Sequence, residues 1–237
     1  MDGRCNAPAP LHFEPARDDQ PPWMLLPWRP GMPLGAWLRG ARPAVGALAE
    51  PIAEHLAGRL ALKPPSALGL PEYPNASLAK LMFELLDHPL VNARLAPRLR
   101  VRLQREVERQ GARLNTQPSL DGLVHSDFSG SNLLIEEDAH GVRIGAVVDW
   151  EFAHLGSALI DLGHLLRAPA LRDRSFTDRF TEAMATQGRP LAPGWIEAAT
   201  LVDILAWLYF LSRPPERPRL FADCRARLEE ILVQLGD

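Results

Sequence analysis

Lysine is almost missing from this chain. Lys63 and Lys80 are the only two, so 24 of the 26 basic residues are arginine. Any task that needs a lysine amine has two candidates, and neither precedes residue 63. Cysteine is equally scarce. Cys5 and Cys224 are too few and too far apart for a disulfide framework or a zinc site, so a reducing cytoplasm is the expected setting. No uninterrupted run of about 18 apolar residues occurs, which excludes a helical membrane span. Met1-Asp2-Gly3-Arg4 leads into prolines and acids without the apolar centre of a signal peptide. An excess of positive charge is lacking too. The formal net charge is −3, which argues against the basic face that general nucleic-acid binding requires.

What is present is the composition of a folded globular protein, with 46% hydrophobic and 23% charged residues. A chain of 237 residues has room for one large domain or two small ones. After a Pro-, Asp- and Arg-rich start, Trp23-Met24-Leu25-Leu26 reads as a short buried strand, stopped by Pro27 and Arg29-Pro30-Gly31. Helical periodicity runs from about Leu34 to Leu62 (Val45, Leu48, Ile52, Leu56, Leu60), with a break or kink expected at Pro51. Further helical patterns cover about 76–87 and 90–111. From Asp121 the texture changes to short strands at 123–125, 132–135 and 142–149, the last two joined by a turn at Glu136–Gly141. Helices are expected at roughly 157–167, 174–187, 193–212 and 218–235. The expected class is α+β: a mainly helical body with a small β insert, preceded by a strand.

Three polar residues fall at the ends of those strands: Asp127, Asn132 and Asp149. The first two belong to His125-Ser126-Asp127-Phe128-Ser129-Gly130-Ser131-Asn132, which is H-x-D-x-x-x-x-N. Phosphoryl transfer asks for such a set. One carboxylate orients the attacking hydroxyl and accepts its proton, while an amide oxygen and a second carboxylate hold Mg²⁺ against the phosphates. These are hard oxygen donors, and no cysteine lies nearby to suggest a softer metal. Taken singly, an Asp or Asn after a strand is an ordinary turn or cap residue. Only the ordered set carries weight.

The set resembles the catalytic and metal loops of the protein-kinase-like superfamily, and more closely the aminoglycoside phosphotransferase and choline kinase branch. That branch typically reads H-x-D-x-x-x-x-N and then D-[W/F/Y]-E, here Asp149-Trp150-Glu151. Gly156-Ser157-Ala158-Leu159-Ile160-Asp161-Leu162 resembles its G-x-P-x-x-D-L segment, with Ala158 in place of the usual proline. Trp23–Leu34 is similar to the last small-lobe strand and the hinge. The resemblance implies a kinase-like fold, with residues 1–30 as a remnant of the N-terminal lobe and hinge and 31–237 as the C-terminal lobe. Asp127 would be the catalytic carboxylate, and Asn132 and Asp149 the Mg²⁺ ligands. Pro27, Trp28 and Arg29 would meet the nucleotide base of ATP or GTP. His125 would support the loop through hydrogen bonds, Asp161 would cap its helix and tether the loops, and Glu151 would stand behind the ligands or near a second metal position.

The same resemblance exposes a gap. A small lobe supplies a phosphate loop, a strand lysine and a helix glutamate, and the 22 residues before Trp23 cannot hold them. Little kinase activity is therefore expected of these residues alone. The acceptor is expected to be a small hydroxyl-bearing molecule rather than a nucleic acid or a membrane component. Residues 165–237 hold ten acidic side chains against ten arginines, a balance that does not favour a polycation. The alternative is a non-catalytic kinase-like binding module. Trp207 and Phe210, three apart on a helix, are expected in the core rather than as a substrate platform.

Overall fold

The computed structural model describes residues 6–40, 44–73, 75–117 and 120–236. In chain order the first elements are strands β1 (His12–Glu14), β2 (Trp23–Leu25) and β3 (Met32–Pro33), then helices α1 (Leu34–Trp37) and α2 (Ala49–Leu60). Strand β4 (Glu72–Tyr73) precedes α3 (Asn75–Leu86), α4 (Pro89–Arg94) and α5 (Pro97–Gln110). Four strands follow: β5 (Asp121–Val124), β6 (Leu133–Asp138), β7 (Gly141–Val147) and β8 (His154–Ser157). The chain ends in α6 (Leu159–Leu165), α7 (Arg174–Thr186), α8 (Trp195–Val202), α9 (Ile204–Leu211) and α10 (Pro218–Leu235). The α+β class expected from the sequence is the one observed.

These elements form two compact units. One comprises Met1–Leu62, Asp127–Phe152 and Ala168–Pro190. Its three-stranded sheet has the order β3-β6-β7, all antiparallel, with Leu133 opposite Val147. Helices α2 and α7 pack together beside it. Leu48, just before α2, and Ile52 and Leu56 within it, spaced about one turn apart, are fully buried, as are Phe176 and Phe180 of α7. The two phenyl rings stack at 5.4 Å, and each such burial stabilises by about 1.5–3 kcal/mol. The break expected at Pro51 falls just before that residue, since the regular helix begins at Ala49. Pro51 lies in the first turn of α2, where its missing N–H has no helical partner to lose.

The other unit comprises Lys63–Ser126, Ala153–Arg167 and Leu191–Asp237. It holds the second sheet, β4-β8-β5, in which β5 runs antiparallel and β4 parallel to β8. Around α6 and α8 the crossing is close because residue 163 is glycine. A Cβ there would stand 2.6 Å from the carbonyl oxygen of Ala199. The three strands expected in the middle of the chain thus divide between two sheets, and β8, unforeseen, is what β5 pairs with. The helix expected over 90–111 breaks at Leu95 and Ala96, before Pro97; a residue preceding proline is pushed out of the helical region.

One expectation fails clearly. Trp23–Leu26 is not buried: its side chains are 42–55% exposed. Strand β2 pairs only with β1, and among the described residues nothing joins this two-stranded ribbon to a larger sheet. A lone ribbon has no second layer to bury its faces against. Trp207 and Phe210 also differ from expectation, half-buried and 38% exposed rather than in the core. No helix among the described residues is long and apolar enough to cross a membrane.

Candidate active site

In the second unit, β5 ends at Val124 and the chain turns through His125 and Ser126. The turn is held from below by Asp161, a fully buried carboxylate in the first turn of α6. It accepts the backbone N–H of His125 at 3.0 Å and that of Ser126 at 2.7 Å. Asp161 does not cap its own helix, as the sequence had suggested. Ala158 occupies that position, and Ser157 Oγ accepts from Leu159 N at 3.2 Å. The carboxylate is thus spent on the loop instead. Ser126 has φ of 68°, a left-handed conformation costly for a residue with a Cβ.

In the first unit, Asp127 and Asn132 form a closed turn. The Asn132 side-chain amide donates to the Asp127 carboxylate at 2.7 Å and to the Asp127 carbonyl at 2.9 Å. Ser129 N and Asn132 N complete the turn with bonds to Asp127 O and Ser129 O. With its NH₂ engaged, Asn132 keeps its amide oxygen as an acceptor. Gly130 lets this turn touch the start of α1: its carbonyl accepts from Gly35 N at 2.7 Å, and a Cβ on Gly130 would meet that nitrogen at 3.1 Å. Val148 N donates to Asn132 O at 3.0 Å, which brings the exit of β7 beside Asn132 and leads directly to Asp149. Asp149 is exposed at φ of 67°. Trp150, next in the chain, anchors its indole N–H on Val147 O at 2.9 Å.

The structure thus brings Asp127, Asn132 and the approach to Asp149 into one loop system, as the motif spacing predicts. Glu151 follows in the same turn and is exposed. Pro27, Trp28 and Arg29 lie apart from any sheet, in the stretch between β2 and β3, with Trp28 84% exposed. Among the described residues no group of three His, Cys, Asp or Glu side chains could hold a metal ion by itself. Asn132 and Asp149 each carry a side-chain oxygen, and two such oxygens completed by phosphate oxygens and water are a donor set that would fit Mg²⁺.

Behind the loops lies a layer that the sequence reading missed. Phe128, between the two polar ends of the motif, is fully buried. The imidazole of His55 stacks on it at 5.6 Å and 7°, and the guanidinium of Arg59 stands 4.9 Å from its centroid. A signal existed. Ile52, His55, Leu56 and Arg59 follow the i, i+3, i+4, i+7 spacing of a buried helix face, so two polar residues interrupt an apolar stripe.

The second unit has its own buried polar cluster. Asp203 accepts from Arg167 Nε at 2.8 Å and Nη2 at 2.6 Å, and from Trp207 Nε1 at 3.0 Å. His164, buried nearby, is pushed down to a pKa of about 3, first by burial and then by the Arg167 charge. It is neutral in the folded protein at pH 7.

The fold is of the kinase-like type. Aminoglycoside 2′-phosphotransferase IIIa, solved as its GDP complex, aligns with a TM-score of 0.74 at 18% identity, covering 98% of this chain and 78% of that one. An ethanolamine kinase from Plasmodium vivax aligns at 0.64 and 12% identity, over 97% and 68%. Macrolide 2′-phosphotransferase type I aligns at 0.58 and 15%, over 93% and 66%. At such identities the likeness establishes the fold. The model of the phosphotransferase enzyme family, APH, matches residues 3–201, and the chain belongs to that family. A comparison with curated protein sequences returns no match.

Proposed function

We propose that this protein transfers the γ-phosphoryl group of a purine nucleoside triphosphate, ATP or GTP, to a hydroxyl of a small molecule, with Mg²⁺ as the ion, and does so slowly, because no lysine precedes Lys63 to hold the phosphates. The observation that carries the reading is the closed Asp127–Asn132 turn with Asp149 delivered beside it. In this reading Asp127 orients the acceptor hydroxyl and takes its proton as the oxygen attacks the phosphorus. Asn132 fixes that carboxylate through its amide N–H, and its amide oxygen and the Asp149 carboxylate would hold the ion. Mg²⁺ would neutralise charge on the phosphates. Asp161 supports the reaction indirectly, because it fixes the two backbone amides that precede Asp127. His125, buried and bonded through its backbone N–H to the Asp161 carboxylate, is a structural member, and Glu151 would stand behind the ligands or near a second metal position.

Residues 1–30 would belong to the N-terminal lobe and the hinge, with Pro27, Trp28 and Arg29 against the base, and residues 31–237 would form the C-terminal lobe. The cytoplasm is the proposed compartment. Sugars, amino alcohols and aminoglycosides are all acceptor classes to test. The arginine–acid balance after residue 165 favours the less cationic ones.

The test is phosphoryl transfer from radiolabelled ATP or GTP with Mg²⁺ to a panel of hydroxyl-bearing acceptors. Turnover is expected to fall by about 10²–10⁴-fold in Asp127→Asn, the usual contribution of a positioned proton acceptor. Equal activity in that variant would sink the reading. Saturable acceptor or nucleotide binding without any transfer would favour a binding module instead.

A further inference from the structure

Arg59 is fully buried in α2, and its guanidinium is in contact with two aromatic rings, Phe128 at 4.9 Å and Trp150 at 5.9 Å. All three residues belong to the first unit. Their places in the sequence make the contact informative: Phe128 directly follows Asp127, and Trp150 directly follows Asp149. A cation lying over two ring faces is attracted to both, and more strongly where water is excluded. The planar guanidinium suits such stacking better than a lysine ammonium. His55, one turn earlier on α2, holds the Phe128 ring in a parallel stack, so that ring cannot turn away from the guanidinium. The Trp150 indole is fixed in turn by its bond to Val147 O.

From this arrangement we infer that Arg59 is a positioning residue: one buried cation clasps the catalytic and metal loops together through the aromatic side chain that follows each carboxylate. The inference deepens the phosphotransferase reading and rests on it for its effect on turnover. The clasp itself is independent of that reading. Both carboxylates sit on short turns, Asp149 at positive φ, and α2 is the regular element that supplies both turns with one common anchor. Losing the clasp lets the two carboxylates shift relative to each other, and shifts of about 1 Å cost up to ~10²-fold in rate.

The experiment has two arms. In the first, thermal unfolding of Arg59→Met, Trp150→Leu and Phe128→Leu and their pairs is measured as double-mutant cycles, which need no activity. Arg59→Met is expected to be non-additive with both partners, by about 2–4 °C in Tm. Additive shifts in both cycles would overturn the clasp. Non-additivity with Phe128 alone would overturn it too, because the link to the metal loop would then be missing. Arg59→Lys, which keeps the charge, serves where the Met variant does not fold.

In the second arm, the Mg²⁺ concentration for half-maximal turnover is measured. It is expected to rise about tenfold in Arg59→Met, with acceptor KM within twofold and partial recovery in Arg59→Lys. An unchanged Mg²⁺ dependence with only a lower yield of folded protein would mark Arg59 as merely structural and overturn the positioning role. A wild-type chain without turnover would sink the phosphotransferase reading and with it the positioning role. The unfolding cycles would still decide whether the clasp exists.

Discussion

Two stretches of the first unit invert the usual relation between polarity and burial. Residues 127–132 are polar in sequence except for Phe128, yet Asn132 is buried along with Phe128, and Ser129 N and Asn132 N are hydrogen-bonded within the turn. Residues 23–26 are apolar in sequence, yet all four side chains are at least 42% exposed. The difference lies in what stands behind each. The polar loop has α2, with His55 and Arg59, against its back; among the described residues the apolar strand has one partner strand and no layer. Burial follows the second layer rather than the local hydrophobicity.

The comparison can be broken by experiment. Its sharpest test is Phe128→Ala, expected to cost about 3–5 kcal/mol, the usual penalty for emptying a buried aromatic site. Urea unfolding would measure it, and a cost under 1 kcal/mol would mean the loop carries no core of its own. Next comes Asp161→Ala, which leaves the His125 and Ser126 amides without their acceptor. About 2–3 kcal/mol of lost stability is expected, together with faster hydrogen exchange at those two amides. Protection unchanged at both would show that the carboxylate is dispensable.

Within one pH unit below 6.5, a smaller effect should be seen with His164. Its folded pKa, about 3, lies below the ordinary 6.5, so the unfolded chain takes up a proton that the folded one refuses. Stability should therefore fall as pH drops from about 6.5 toward 3, by up to about 1.4 kcal/mol per pH unit from this group. His164→Gln should flatten that limb of a denaturant-midpoint series across pH. The smallest change is expected at the ribbon, where Trp23→Ser should alter stability by no more than about 0.5 kcal/mol. A large loss there would show the ribbon to be packed after all.

Much of the site was legible because its chemistry is local. The spacing of His125, Asp127 and Asn132 lies within eight residues, and the β6–β7 hairpin that brings up Asp149 is a short-range structure. The layer beneath was less legible, since Arg59 reaches Phe128 and Trp150 across 69 and 91 positions, and only its intrusion into an apolar helix stripe hinted at a partner. Asp161 was half legible. Its place near a helix start suggested a cap, but whether a carboxylate serves its own helix or another segment depends on which amides the fold brings within 3 Å. The buried reading of Trp23–Leu26 failed because an apolar run states a preference for burial and says nothing of whether a layer is there to satisfy it.

The left-handed backbone at Ser126 and Asp149 bears on how this protein would respond to selection. Each conformation costs about 1–2 kcal/mol for a side-chain-bearing residue and little for glycine. A library sorted only for thermal resistance or expression should therefore enrich Ser126→Gly and Asp149→Gly. The second of these removes the carboxylate on which the proposed chemistry depends. A library sorted for turnover should keep aspartate at 149 and tolerate glycine at 126. Sequencing the two outputs side by side would separate a position strained for the sake of its side chain from one strained only by its path.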